Sequence, residues 1–308
     1  MATFATGDIR SLPRNIADGL VKEAVTGSTV AALSGREPMR FGDVDIITFN
    51  DLPRAEYVTE GAEKADTTGS FGVVTATPRK AQVTMRFNQE VQWADQDYQL
   101  GILSELASAG AQALSRALDL GLYHRINPLT GNEIVSWSNY LNSTTKRVEI
   151  GAEADMDVEA AVGLVLGDNK AVNGIAIDPS YAWTLSTARY ADGRKKFPEL
   201  GFGVSVSNFG GINVSTSNTV SGQPEANDTC VRAIVGDFQS GIRWGIQRDL
   251  PLELIRFGDP DGQGDLKRQN QIALRLEVVY GWYVFADRFA VIETAAENGN
   301  GDGNGDEG

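Results

Sequence analysis

The sequence predicts a mixed α+β fold. Apolar residues at helical spacing over residues 97–126 predict one long helix. Residues 174–191 follow the order strand, turn and helix, which is typical of an α/β layer. Two β-rich segments, 272–280 and 283–292, predict long strands that close the fold. We therefore expect helices packed against sheets.

Composition excludes several classes of protein. The chain has 308 residues, ample for a sizeable core, and its 27 Lys and Arg against 41 Asp and Glu give a net charge of -14. Such an acidic chain argues against a protein that grips nucleic acid through phosphates. The chain has one Cys, Cys230, and one His, His124. An intramolecular disulfide and a Cys-rich or His-rich metal centre are therefore excluded, and we expect no metal and no cofactor.

Catalytic motifs do not stand out. Gly201-Phe202-Gly203 lacks the third glycine of a dinucleotide fingerprint, and no carboxylate spacing picks out an acid/base pair. We expect structural partners for His124 near the end of the long helix. The prediction is a protein that is not an enzyme and has no catalytic residues. The enzyme alternative, an acidic hydrolase, would need a concave pocket with carboxylates of raised pKa.

No membrane or secretory segment is expected. The first 15 residues lack the apolar stretch of a signal peptide. The best apolar stretch, residues 272–292, is interrupted by Arg275, Glu277, Asp287 and Arg288. A basic cluster at residues 194–196 is interpreted as part of a solvated loop.

Further elements follow from local patterns. In the long helix, Ala107, Gly110 and Ala113 would let another element pack closely, and Asn127 followed by Pro128 is expected to end it. The remaining predicted elements are helices at 158–167 and 180–191 and strands at 44–49, 174–177, 204–207, 212–217, 231–235, 243–247 and 252–256.

An extended hairpin is predicted before the long helix. Residues 54–66 form one limb, 67–70 the tip and 71–87 the return limb, in which Val83, Met85 and Phe87 alternate with polar residues. A lone two-stranded hairpin is marginal in water. This hairpin therefore needs a further surface, either its own domain or a second subunit.

Charges on this hairpin are sorted by limb. Residues 51–66 contain five acids and two bases, whereas the return limb carries unopposed bases. Two interpretations stay open: cross-strand pairing on a solvated face, or charge complementarity to a neighbouring subunit. On the second, the candidate intersubunit contacts are Arg54, Glu56, Glu60, Glu63, Lys64, Arg79, Lys80 and Arg86.

Short motifs in the hairpin and in the last third of the sequence carry a family resemblance. Glu60-Gly-Ala-Glu-Lys64, followed by Thr77-Pro-Arg-Lys-Ala-Gln-Val-Thr-Met85, resembles the E-loop of the tailed-phage major capsid proteins. Val235-Gly-Asp-Phe238, the strand at 242–246 and the segment 273–292 resemble the end of the same family. The resemblance spans roughly residues 40–293 and implies the Hong Kong 97-type capsid fold. In that fold the E-loop lies across a neighbouring subunit.

The resemblance also implies a division of the chain. The parts are an N-arm at 1–48, the extended E-loop hairpin at 49–92, a peripheral domain at 93–154 with a spine helix at 97–126, an α/β axial domain at 155–268, closing strands of the peripheral domain at 269–296, and an acidic tail at 297–308. Because the tail has nothing to bury, we expect it to be disordered.

The function implied is that of a major capsid protein. It would self-assemble as pentamers and hexamers into the icosahedral shell that encloses the double-stranded DNA genome of a tailed phage. Implied partners are further copies of the chain, a portal, a scaffold and in some relatives a decoration protein, with packaged DNA contacted non-specifically and no membrane. The implied location is the virion, after assembly in the host bacterial cytoplasm.

Two departures and two alternatives accompany this resemblance. About fifty residues precede the E-loop, so we expect a scaffold that is separate or already cleaved. Lys64 has no matching Asn partner, so no covalent cross-link is expected. The first alternative is an encapsulin-like nanocompartment shell protein, which gene neighbourhood would separate. The second is a tail-tube or decoration protein, and the long helix speaks against a tube.

Overall fold

The structure, a computed structural model, describes residues 27–49, 55–61, 63, 71–90, 96–202, 206–249 and 252–295. The predicted hairpin tip at 67–70 and the tail at 297–308 lie outside the described residues. The described chain divides into two units. Unit 1 is built from residues 35–118 and 242–284, and unit 2 from residues 28–34, 119–241 and 285 onward.

The elements are numbered in chain order. The helices are α1 (Thr29–Leu33), α2 (Gln96–His124), α3 (Ala154–Gly167), α4 (Pro179–Thr187) and α5 (Phe238–Gly241). The strands are β1 (Val44–Phe49), β2 (Phe71–Asn88), β3 (Arg147–Glu149), β4 (Gly174–Ile177), β5 (Asn208–Phe209), β6 (Ile212–Thr216), β7 (Val231–Gly236), β8 (Ile242–Asp249), β9 (Glu253–Ile255), β10 (Gln271–Val284) and β11 (Phe289–Glu293). The described chain thus mixes helices and strands, and most of its strands lie in the second half.

Unit 1 contains a five-stranded antiparallel sheet in the order β1-β2-β10-β8, with β9 also paired to β10. Its centre is the ladder between β2 and β10, which runs from Gln271 opposite Asn88 to Trp282 opposite Thr77. The first six residues of β2 pair instead with β1, with Phe71 opposite Phe49 and Ala76 opposite Val44. Strand β2 therefore joins two different partners end to end.

Helix α2 packs on this sheet through the small side chains that the sequence singled out. A Cβ atom added to Gly110 would lie 2.8 Å from Cδ1 of Leu276 and 3.2 Å from Cε of Met85. Ala107 is fully buried, and the hydroxyl of Tyr280 donates to the carbonyl of Leu114 at 3.1 Å. The predicted close approach at Gly110 is confirmed.

The long helix ends two residues earlier than predicted. Arg125 adopts a left-handed conformation with φ 53. The amide of Ile126 then donates to the carbonyl of Leu120 at 3.2 Å, and that of Arg125 to the carbonyl of Gly121 at 3.1 Å. The bond from the left-handed Arg125 to Gly121 is the αL form of a helix C-cap, which ends the helix before Asn127 and Pro128 are reached.

The predicted hairpin is wrong in one limb. Residues 55–61 and 63, the described part of the outgoing limb, form no strand. The return limb pairs with β1 and β10 instead. The reason is composition: β1 offers apolar and β-branched residues that suit a strand, whereas the outgoing limb carries Glu56, Glu60 and Gly61.

Differences elsewhere have local causes. The two predicted closing strands 272–280 and 283–292 are β10, which continues through Gly281, and β11. A Cβ on Gly281 would lie 2.5 Å from Nε2 of Gln247, so this glycine marks a close approach within the strand. Helix α4 ends at Thr187, because residues 188–196 fold into a tight loop in which Lys196 N donates to the carbonyl of Ala188 at 2.8 Å.

Unit 2 contains a six-stranded mixed sheet in the order β3-β11-β7-β4-β6-β5. Strand β4 is parallel to β6 and antiparallel to β7, and the strand, turn and helix order predicted at 174–191 is confirmed by β4 and α4. Apolar side chains of α3, α4 and the sheet share one core. Its fully buried members include Ala161, Val165, Ala182, Ala233 and Ile292. Helices α3 and α4 therefore cover the same side of the sheet.

Strands β8 and β9 lie within the predicted axial range 155–268, but they pair with β10, which belongs to the predicted closing range 269–296. Strand β1 lies at the end of the predicted N-arm range 1–48, but it pairs with β2 of the E-loop range. The domain boundaries themselves stay predictions.

A buried carboxylate holds residues 28–34 in unit 2. Asp119 is fully buried and accepts hydrogen bonds from the amides of Thr29 at 2.9 Å and Val30 at 3.2 Å. The hydroxyls of Ser28, Thr29 and Thr219 also donate to it. Burial raises the pKa of Asp119, and the hydrogen bonds from residues 28–30 oppose that rise. One acceptor thus satisfies five buried donors.

Replacing Asp119 by Asn should weaken this attachment. An amide presents an NH2 group to donors that need an acceptor, so some of the five donors lose their bond while still buried. We expect the free energy of unfolding to fall by about 2–4 kcal/mol, measured by urea denaturation of dispersed subunits. Asp192→Asn, which removes an exposed pair with Arg194, should cause no measurable change. Equal stability of Asp119→Asn and the parent would contradict this role.

Candidate functional site

The outer end of the unit 1 sheet is a two-stranded ribbon. We call β1 together with residues 71–76 of β2 the arm. The ladder between β2 and β10 ends at Thr77, so within the described residues the arm strands pair only with each other. Because a two-stranded ribbon is marginal in water, the arm is the part of unit 1 that most needs another surface.

One face of the arm is apolar and exposed. Ile47 and Val73 lie directly opposite each other and are 67% and 63% exposed. Phe71, two residues along on the same face, is 68% exposed. At the far side of this group, Thr75 donates to the carboxylate of Asp45 at 2.8 Å. Clustered apolar exposure of this kind marks an interaction surface.

The other face of the arm is only partly covered. Val44, Ile46 and Val74 are half-buried, and burial becomes complete at Ala76, next to the start of the β10 ladder. Tyr57, in the described segment that follows β1, is fully exposed. Apolar side chains therefore reach solvent on this part of unit 1 from more than one segment.

The predicted contact residues fall into three groups. Glu56, Glu60 and Glu63 are exposed in the segment between β1 and β2. Arg54 and Lys64 lie outside the described residues. The three basic residues of β2, Arg79, Lys80 and Arg86, all lie beyond the arm on the part of β2 that pairs with β10.

Arg86 holds a loop of its own chain. Its guanidinium donates to both carboxylate oxygens of Asp261, to Oδ1 of Asp259 at 2.9 Å and to the carbonyl of Gly264 at 2.9 Å. The side chain of Gln269 accepts a further bond at 2.9 Å. Hydrogen bonding with Arg86 lowers the pKa of Asp261 and raises that of Arg86. Arg86 thus fixes the loop at 257–270.

Lys80 and Arg79 also have partners within unit 1. Lys80 Nζ lies 2.8 Å from a carboxylate oxygen of Glu277, its neighbour on β10. The Arg79 guanidinium lies 4.5 Å from the ring centre of Trp282. Burial lowers the pKa of Arg79 to about 10. Cross-strand and loop pairing therefore accounts for Lys80 and Arg86 in a single chain, and intersubunit contact by any of the eight residues stays a prediction.

The residues with catalytic potential, His124 and the carboxylates near it, make structural contacts. His124 is buried, its Nε2 donates to the carbonyl of Val220 at 2.8 Å, and burial lowers its pKa to about 4. A pocket of about 510 Å³ beside it contains Glu133 and Asp228. The pKa of Asp228 is lowered by hydrogen bonding with Arg232, the opposite of what the hydrolase alternative needs.

Metal-ligating clusters and membrane-spanning helices are both absent from the described residues. No group of three or more His, Cys, Asp or Glu in the described ranges could hold a metal ion. Among the same residues, no helix has the length and apolarity needed to cross a bilayer.

Sequence reasoning missed the arm's apolar face. The charge pattern points to the charged residues of the hairpin and does not distinguish Ile47, Phe71 and Val73 from other strand residues. A signal was present: Phe71-Gly-Val-Val places apolar residues on both faces of one strand end. Such a pattern fits a strand that is covered on both sides, and a two-stranded ribbon has too few neighbours to provide that cover.

Comparison with known proteins gives a family match. The model of the phage capsid family matches residues 11–293. A solved chain of Mycobacterium phage Ogopogo is 45% identical, with 87% of this chain and 92% of that chain covered and a TM-score of 0.77. A solved chain of Gordonia phage Cozz is 29% identical, with 88% and 87% covered and a TM-score of 0.76.

More distant structures share the fold alone. The capsid of an empty GTA particle is 15% identical, with 96% of each chain covered and a TM-score of 0.59. A search of curated proteins finds no match. The mixed α/β architecture is therefore that of these solved chains.

Replacing Arg86 by Lys should loosen the loop at 257–270. Lysine keeps the charge, but its N–H donors all lie on one nitrogen and cannot reproduce the planar fork with which the guanidinium reaches Asp259, Asp261 and Gly264. We expect amide hydrogen exchange in this loop to accelerate by about tenfold or more, measured by mass spectrometry on dispersed subunits. Lys80→Met, which removes only the partly exposed pair with Glu277, should leave exchange in the loop unchanged. Protection of the loop in Arg86→Lys equal to the parent would show that other bonds hold it.

Proposed function

The chain belongs to the phage capsid family, and from that membership we propose that it assembles as pentamers and hexamers into an icosahedral shell around the double-stranded DNA of a tailed phage. Its function is that of a phage major capsid protein, and its place in the virion is the capsid. Pentamers and hexamers are the units from which one chain can build a closed shell of many copies.

We assign the elements to the Hong Kong 97-type fold. The order of arm, long helix, α/β unit and closing strands supports this assignment. In it, residues 71–76 of the arm belong to the E-loop (49–92) and β1 to the end of the N-arm (1–48). Helix α2 is the spine helix of the peripheral domain (93–154), and α3 and α4 belong to the axial domain (155–268). Strands β8 and β9 are then the part of the axial range that joins the peripheral sheet.

The exposed apolar face of the arm is the observation that carries the proposal. Ile47 and Val73 form a cross-strand pair that is mostly exposed in the described chain. Covering them with a neighbouring copy buries apolar surface and stabilises a ribbon that is marginal alone. Many such contacts, each modest, hold a shell together because every copy touches several neighbours at once.

Charge supports the proposed relation to DNA. A chain of net charge -14 repels phosphates, so packaged DNA is held by confinement and contacted non-specifically. The proposal includes a portal for DNA entry, a separate or cleaved scaffold, a decoration protein as an optional partner, and assembly in the cytoplasm of the host bacterium.

The encapsulin-like alternative shares the shell but encloses protein. The family match to phage capsids over residues 11–293 and the solved phage chains favour the phage shell. The alternative predicts a cargo gene beside this one, whereas the proposal predicts terminase and portal genes there.

Electron microscopy with sedimentation of the protein, expressed alone and with its scaffold and portal, tests the proposal. We expect closed shells or capsomers. A chain that stays monomeric in both conditions would contradict it.

A charge on the arm's apolar face should prevent shell closure. Val73→Asp places a carboxylate where the proposal buries a neighbouring copy, and desolvating that charge opposes the contact. We expect a folded subunit and at least a tenfold drop in shell yield in sucrose-gradient sedimentation, because the cost recurs at every contact.

Val73→Ile, which keeps the position apolar and β-branched, is the matched control and should give normal shells. Circular dichroism should show the same melting behaviour for both variants, since Val73 is exposed in the single chain. Normal shells from Val73→Asp would contradict the role of the arm.

A further inference from the structure

Helix α3 is apolar on two opposite sides. The inward stripe that packs on the unit 2 sheet consists of Ala154, Val158, Ala161 and Val165. The outward stripe consists of Met156, Ala160, Gly163, Leu164 and Gly167, all of them exposed. Residues two positions apart on a helix differ by about 200°, so Met156, Ala160, Gly163 and Gly167 each lie nearly opposite an inward residue, and Leu164 borders this stripe. An exposed apolar stripe of this kind marks an interaction surface.

The outer face of α3 and α4 also carries large exposed side chains. Met156 is 62% exposed, and Trp183 of α4 is 58% exposed. Because α3 and α4 cover the same side of the sheet, Trp183 lies on the same outer face of unit 2. A Cβ atom added to Gly163 would meet no other atom within 4 Å, so no side chain of the described residues packs against this glycine.

The surroundings of this stripe are acidic. Residues 153–167 contain four acidic residues and no basic residue. Asp157 is buried, and Glu153 and Asp155 pair with Lys196 of the same chain, so the exposed negative charge beside the stripe is that of Glu159. Glu159 is exposed beside Ala160 of the outward stripe. A partner suited to this face is therefore apolar and basic at once.

The loop at 188–202 of this chain has that character. Tyr190 and Phe202 are exposed large side chains. The Arg194 guanidinium lies 5.8 Å from the Tyr190 ring centre, and Lys195 Nζ lies 5.1 Å from that of Phe202. Attraction between this loop and α3 already operates within one chain, where Lys196 Nζ lies 2.5 Å from Glu153 and 3.1 Å from Asp155.

We infer that the outward stripe of α3, with Trp183 and Glu159, is a contact between copies of this chain that receives the aromatic and basic loop at 188–202 of a second copy. The inference rests on the proposed function, which supplies the second copy. It names a surface on unit 2, distinct from the arm on unit 1. Two unlike patches on one chain also suit rings, in which each copy offers one patch to the next.

Leu164→Asp is the first test, in the assembly assay used for the arm. Leu164 is partly exposed in the single chain, so the variant should fold with an unchanged circular dichroism melt. We expect at least a tenfold loss of shells and capsomers, with the protein sedimenting as a monomer. Leu164→Met, similar in volume and apolar, should assemble as the parent does.

A charge exchange is the second test, and it reports on the loop. Glu159→Arg and Arg194→Glu should each lower shell yield severalfold, because each sets like charges against one another in every contact. The double variant Glu159→Arg with Arg194→Glu should recover most of the yield. A merely structural role of either residue predicts no recovery.

The outcomes separate this inference from the proposed function. Normal shells from Leu164→Asp, or a double variant no better than the single ones, would overturn the contact and leave the capsid function standing. A parent chain that makes no shell with its scaffold and portal would overturn the proposed function and the contact with it.

Discussion

The architecture of unit 1 depends on a strand that is longer than the sheet around it. The first six residues of β2 pair with β1, and its remaining residues pair with β10. Along the ladder with β10, side chains of β2 lie against α2 and the 257–270 loop. Beyond the end of this ladder, Ile47, Phe71 and Val73 are largely exposed to solvent. The extension of β2 beyond its ladder with β10 therefore determines which part of the sheet lacks cover from its own chain.

Unit 2 also leaves apolar residues exposed, on a helix instead of a strand. Its sheet and helices bury a conventional core, and Asp119 ties residues 28–34 to it through five donors. Yet α3 also carries exposed apolar residues on its outward side. Single chains rarely keep such surface without use. Each unit thus has its own sheet and an exposed apolar face, the arm in unit 1 and the outward stripe of α3 in unit 2. Such faces suit a protein that functions as an assembly of many copies.

Much of the fold could be predicted, because it depends on local pattern. Helix α2 and strand β4 follow from periodicity and short apolar runs, and Gly110 from its place in a helix that must approach a sheet. The pairing of β2 could not be predicted: residues 44–49 and 54–66 compete for it at similar separation in sequence. Arg86 could be recognised as an unopposed charge, but its partners Asp259 and Asp261 lie more than 170 residues away, and only the register of β2 and β10 brings them together.

The ladder between β2 and β10 also has a mechanical consequence. Its hydrogen bonds run perpendicular to the strands, so a pull on the arm along the strand direction loads the whole ladder in shear. The bonds from Gln271–Asn88 to Trp282–Thr77 then share the force at once instead of parting one after another. By contrast, a pull across the arm peels β1 from β2 bond by bond. The subunit is therefore strong against stretching along its arm and weak against lifting of the arm, a directional stiffness set by sheet geometry alone.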